Sequence, residues 1–189
     1  MKIRYNAPTV LTYAFLCALI MAVTLYLLPG LAEWFRVPGK GGFSPSSVRH
    51  WLTILTHAAG HSSWAHLVTN FSFILLIGPM LEESYGSLVL LVMIVITALV
   101  TGILNILFFP SSLMGASGVV FMMILLASFT NFSKGEIPLT FILVVILYLG
   151  DQLVKSLGAG SSNVSYFAHI AGGFCGSLFG FIFPPRRYN

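Results

Sequence analysis

Met114-Gly115-Ala116-Ser117-Gly118 sets one hydroxyl among small residues at the outset of a long apolar run. The residues that follow, Val119 to Phe129, read as a membrane-buried helix. Ser117 therefore belongs at or just inside the helix start, where backbone N–H groups have no intrahelical partner. Those free donors can stabilise an oxyanion. The plainer alternative is that Ser117 caps the helix and the glycines allow close helix packing.

The surrounding chain has the composition of an integral membrane protein. Of 189 residues, 57% are hydrophobic and 7% charged, and the mean hydropathy is +0.94. Soluble domains carry about a quarter charged residues. Several apolar runs approach the roughly 20 residues a spanning helix needs, and no alternating pattern suggests a barrel. The expected fold is an all-α membrane protein: a single domain over residues 1–189, built as a polytopic bundle of about six transmembrane helices. The net charge of +4 sits in terminal and loop residues with no basic cluster of interleaved aromatics. Anionic lipid is the expected partner for it, and nucleic acid is not. Cys17 and Cys175 lie within apolar segments and read as packing residues.

In chain order, the spans are expected at about 8–28, 64–80, 87–109, 117–132, 137–149 and 166–183. The first run is longer than a signal-peptide core and lacks a small-residue cleavage site, so it is expected to be retained. Residues 31–63 mix glycines and serines with Trp34, Phe35, Trp51 and Leu52, the composition of an interfacial loop with short helices. Glu82-Glu83 and Gly86 are read as the turn after the second span, and the glycine- and serine-rich 150–165 as a flexible cap. Six spans put both termini on one side. Lys2, Arg4, Lys134, Arg186 and Arg187 then face Arg36, Lys40, Arg49 and Lys155 across the membrane, a small excess that favours cytoplasmic termini.

Because helices alternate in direction, the second, fourth and sixth spans start on one face. His66 and Asn70, Ser117, and His169 therefore share a depth. His66 and Asn70 also share a helix face at i and i+4, and polar groups in apolar helices are functional suspects. The sixth span repeats small residues at Ala168, Gly172, Gly176 and Gly180, a stripe that permits close approach. If its partner is the helix starting at Gly115-Ala116-Ser117-Gly118, His169 comes within reach of Ser117. A neutral imidazole can then take the hydroxyl proton during attack on a carbonyl. Asn70, His66 and the Ser117 backbone N–H are candidate oxyanion donors. Each polar residue alone can instead serve helix packing; together they fit a serine hydrolase better. His57 and His61 could join His66 around a metal, but no HExxH motif supports a zinc protease, so no metal and no cofactor is expected. Asp151, beside Gly150, reads as a solvated turn.

Three motifs now coincide. His66-Leu67-Val68-Thr69-Asn70 resembles the HxxxN of rhomboid intramembrane serine proteases, Gly115-Ala116-Ser117-Gly118 their GxSG, and Ala168-His169-Ile170-Ala171-Gly172 through Gly176 their AHxxGxxxG. The resemblance spans about Arg49 to Phe181. It implies a minimal six-helix, bacterial-type rhomboid with a Ser117 and His169 dyad, an oxyanion site of His66, Asn70 and the Ser117 N–H, and Gly115, Gly118, Gly172 and Gly176 in support. It further implies transmembrane protein substrates, cytoplasmic termini, and substrate access near residues 137–165; the expected location is a bacterial inner or plasma membrane, since no long presequence is visible. Where many relatives have Tyr four residues after the serine, this chain has Phe121, which can orient His169 or simply pack. The family's first loop often carries Trp-Arg; here Leu52-Thr53 stands at that count, with Arg49-His50-Trp51 just before it. The competing readings are a noncatalytic rhomboid-like protein that binds membrane helices and, more remotely, a small transporter.

Overall fold

The computed structural model describes residues 2–129, 139–144, 146–147, 163–183 and 185. Among these residues seven α-helices follow in order: α1 (Pro8–Ala22), α2 (Val48–Thr56), α3 (Trp64–Tyr85), α4 (Ser87–Phe108), α5 (Ser117–Ala127), α6 (Leu139–Val144) and α7 (Asn163–Ile182). The protein is an all-α polytopic bundle. Among the described residues, the β-like pairing is one antiparallel bridge between Val37 and Leu113. Among the described residues, three helical segments are long and apolar enough to cross a membrane: Pro8–Leu27, Trp64–Tyr85 and Ser87–Phe108. The first includes a π-helical turn, Val23–Leu27, that continues α1. Ser117–Ala127 and Tyr166–Ile182 are shorter apolar helices.

Helix α5 is the axis of the bundle. Every residue from Gly118 to Leu126 is buried, as expected for a helix that is apolar on all faces. It lies against α3, α4 and, most extensively, α7. Glycines set that last contact. A Cβ on Gly172 would overlap the Gly118 carbonyl, one on Gly176 the Met122 carbonyl, and one on Gly180 the Phe129 ring. At Gly172 and Gly176 backbone meets backbone, so a larger side chain there has no rotamer to escape into. Gly172→Val should push α7 off α5 and destabilise the fold by ~1–3 kcal/mol or more, read as a lower thermal midpoint in detergent. An unchanged midpoint would contradict this packing.

The junctions depart from the sequence expectations. The second span does not turn at Glu82-Glu83: α3 runs on to Tyr85 through an internal Pro79, and Gly86 at φ 89° breaks the chain. That backbone region suits glycine. The extra turn aims Glu82 at a distant partner. Its carboxylate accepts from the Thr9 N–H at 2.8 Å and the Val10 N–H at 3.0 Å, and so closes the N-terminus of α1, which has no side-chain cap of its own. Glu82→Ala should strand these donors and cost ~1–3 kcal/mol, visible as a fall in thermal midpoint. Helix α5 ends at Ala127, short of the expected 132, where i→i+3 bonds from Ser128 and Phe129 tighten the last turn. Helix α7 starts at Asn163, inside the expected cap. The rest of that cap, and most of the expected fifth span beyond α6, lie outside the described residues.

The loop 31–63 does contain short helices, with 3-10 turns at Pro29–Phe35 and His57–Ala59 around α2. Arg49 and Arg36 both approach Glu33, at 3.9 and 3.7 Å, and the Trp51 indole donates to the Pro45 carbonyl at 2.9 Å. The Val37–Leu113 bridge then ties the loop to the segment leading into Ser117.

Candidate active site

The segment before α5 is shaped by one backbone constraint. Gly115 adopts φ +136°, a region that L side chains rarely occupy. Its N–H donates to the His57 carbonyl at 2.9 Å. A Cβ here would stand 2.7 Å from His66 Cε1, 2.9 Å from His66 Nε2 and 3.9 Å from Asn70 Nδ2. The bare Gly115 backbone thus lies directly against the His66 ring and near the Asn70 amide.

Ser117 is the first residue of α5 and is partly exposed. The helix is preceded by Ala116 at the cap position, with no side-chain capping bond. The capping role considered from sequence is therefore not the one Ser117 plays: it sits one residue inside, where its own N–H is among the unpaired donors. One turn further, on the same face, is Phe121. The His169 ring stacks on it with centroids 4.3 Å apart and planes 6° apart. Next to it in α7, the Ala168 carbonyl approaches Gly118. The close α5–α7 seam therefore brings His169 to the start of α5.

His66 and Asn70 occupy one face of α3. The Ser63 hydroxyl caps that helix by accepting from the His66 N–H at 3.1 Å. Ser62, which sequence reasoning passed over although it stands four residues before His66, has its hydroxyl 3.2 Å from His66 Nδ1. When Ser62 donates, the ring proton resides on Nε2, the nitrogen facing Gly115. Asn70 is 5% exposed, and its Nδ2 has no hydrogen-bond partner. An orphaned buried donor is rare in native structures. Here it faces the glycine two residues before Ser117.

His57, for which the sequence favours a structural role in the loop over a metal, makes two structural contacts. Buried at 2% exposure, it donates from Nε2 to the Ala98 carbonyl in α4 at 3.0 Å, while its own carbonyl holds Gly115. It clamps α4 to the segment leading into Ser117. Gly102 makes room for it, since a Cβ there would crowd the Ile54 carbonyl and the His57 ring. Among the described residues, no three His, Cys, Asp or Glu side chains cluster to share a metal. Burial pushes the His57 imidazole down to about 4, and burial with the neighbouring His66 pushes His61 to about 4 as well. Both pKa values lie below the unfolded value of about 6.5, so the unfolded chain binds more protons between these limits. Stability should be full above about pH 6.5 and fall as the pH drops toward about 4. Thermal midpoints across that range test this; a midpoint that rises on acidification would refute it.

The rhomboid domain matches residues 48–186 of the chain. The chain belongs to the rhomboid family. A curated relative, the rhomboid protease GlpG of Haemophilus influenzae, is 27% identical over 139 residues, covering 71% of each chain. Family membership and the apolar spans make this an integral membrane protein. The rhomboid match begins at α2 and includes α3, α5 and α7, the helices that carry His66, Asn70, Ser117 and His169.

Proposed function

We propose that the whole chain is a single rhomboid domain acting as an intramembrane serine endopeptidase, which cleaves transmembrane segments of other membrane proteins through a Ser117–His169 dyad. The observation that carries this reading is the flat stack of His169 on Phe121, one helical turn from Ser117. It fixes the plane of an imidazole at the start of α5. Neutral His169 takes the hydroxyl proton as Ser117 Oγ attacks the carbonyl carbon, and the C=O electron pair moves onto oxygen. The imidazolium returns the proton to the amine as the C–N bond breaks. Water then releases the acyl group by the same route. The oxyanion is met by the Ser117 N–H, the His66 Nε2 proton and the orphaned amide of Asn70.

The protease name of the Haemophilus relative supports the hydrolase class. The site opens toward the outer face of a bacterial inner or plasma membrane, with cytoplasmic termini. A substrate helix must unwind locally, because its carbonyls are engaged in its own hydrogen bonds. Reconstitution in liposomes with a single-span substrate tests the proposal. Cleavage should rise when Gly or Pro is inserted near the scissile bond and disappear with Ser117→Ala. Cleavage undiminished by that substitution would refute the dyad.

A further inference from the structure

Toward the end of α3 remote from His66, a cavity of about 610 Å³ opens against the segment that leads into α1. Glu82 in its wall stands sixteen residues from His66, roughly 24 Å along the helix at 1.5 Å per residue, so the cavity is separate from the candidate active site. Its wall is graded from apolar to charged. Leu76 and Met80 share a face of α3 at i and i+4 and are 77% and 46% exposed. Glu83 continues that face at the last turn of the helix, and Arg4, Asn6 and Glu82 supply more of the polar wall.

The charges differ in what they have left to offer. Glu82 is committed to the fold, since its two oxygens accept from the Thr9 and Val10 N–H groups. Arg4 makes no ion pair among the described residues, so its guanidinium has donors available. Glu83 is exposed, and a carboxylate accepts from several donors at once. One cation against two carboxylates leaves the lining at net −1.

An apolar slope that ends in separate positive and negative groups fits an amphiphile with a zwitterionic head. We infer that this cavity seats one phospholipid with a primary-amine head group, of the phosphatidylethanolamine class. Its phosphate accepts from Arg4, its ammonium donates to Glu83, and an acyl chain lies along Leu76 and Met80. An anionic head group would bring its charge to a lining that is already net negative. A choline head has no N–H to give Glu83 and is recognised by aromatic faces, and the lining has no aromatic side chain. The inference rests on this cavity alone and stands whether or not Ser117 is a nucleophile.

The test is native mass spectrometry of the delipidated full chain in detergent, titrated with phosphatidylethanolamine, phosphatidylcholine and phosphatidylglycerol of the same acyl chains. The ethanolamine lipid should bind about fivefold or more tightly than either of the others. Arg4→Gln and Glu83→Gln should each lower its affinity about tenfold, the loss of one charge-assisted bond, and leave the choline lipid unchanged. Both side chains are exposed, so neither substitution disturbs the core. A second readout needs no variant: a water-soluble carbodiimide should join the lipid amine to Glu83 as an amide, located by peptide mass spectrometry. Equal affinity for the three lipids, or undiminished ethanolamine-lipid binding in both variants, or cross-linking at the exposed Glu33 but not at Glu83, would overturn the inference.

Discussion

Ser117→Ala is expected to lower the rate of peptide-bond cleavage by ~10⁴-fold or more, with His169→Ala causing a loss of similar size. In the proposed dyad the two act on one proton transfer, so the double variant should be scarcely worse than either single one. Their effects on stability should differ. Ser117 makes no capping bond at the start of α5, and its loss leaves the helix intact. His169 contributes its ring to the stack on Phe121, so its removal also opens space beside α5. A thermal midpoint that holds for Ser117→Ala while activity vanishes would separate chemistry from folding. Additive rate losses would argue that the two side chains work independently.

Removing the Asn70 amide is the second large effect. Asn70→Ala should lower kcat by ~10²–10³-fold, the range for loss of one oxyanion donor, and leave KM nearly unmoved because the bond forms as charge develops. In the resting structure Nδ2 has no partner, so no ground-state bond to it is broken. Thermal stability should therefore hold, unlike in Glu82→Ala, where two bonded N–H groups lose their acceptor. A fall in midpoint with unchanged kcat would identify Asn70 as a packing residue.

Much of this architecture was legible in the chain because its signals are local. Apolar runs mark the spans, and the spacing of Gly172, Gly176 and Gly180 marks the face of α7 that meets α5. Ser117, His66, Asn70 and His169 could be assigned to one depth from helix direction alone. Contacts that join distant segments were not legible. Glu82 reads as part of a turn until α1 is seen to lack a cap, since its partners Thr9 and Val10 stand more than seventy residues away. His57 reads as a loop histidine until its ring meets the Ala98 carbonyl and its own carbonyl takes the Gly115 N–H. Gly115 reads as a small packing residue, because only the backbone reveals φ +136°. Phe121 could be assigned to the face of Ser117, but its stacking on His169 depends on the register of α7.

In the proposed mechanism Ser117 is an activated nucleophile with His169 as its base. Its most direct measurement is fluorophosphonate labelling of the purified chain in detergent, with the modified peptide located by mass spectrometry. One adduct is expected, on Ser117, lost in His169→Ala that retains its helical content. A folded chain left unlabelled by a probe shown to enter the site, or an adduct on another residue that survives Ser117→Ala, would contradict it.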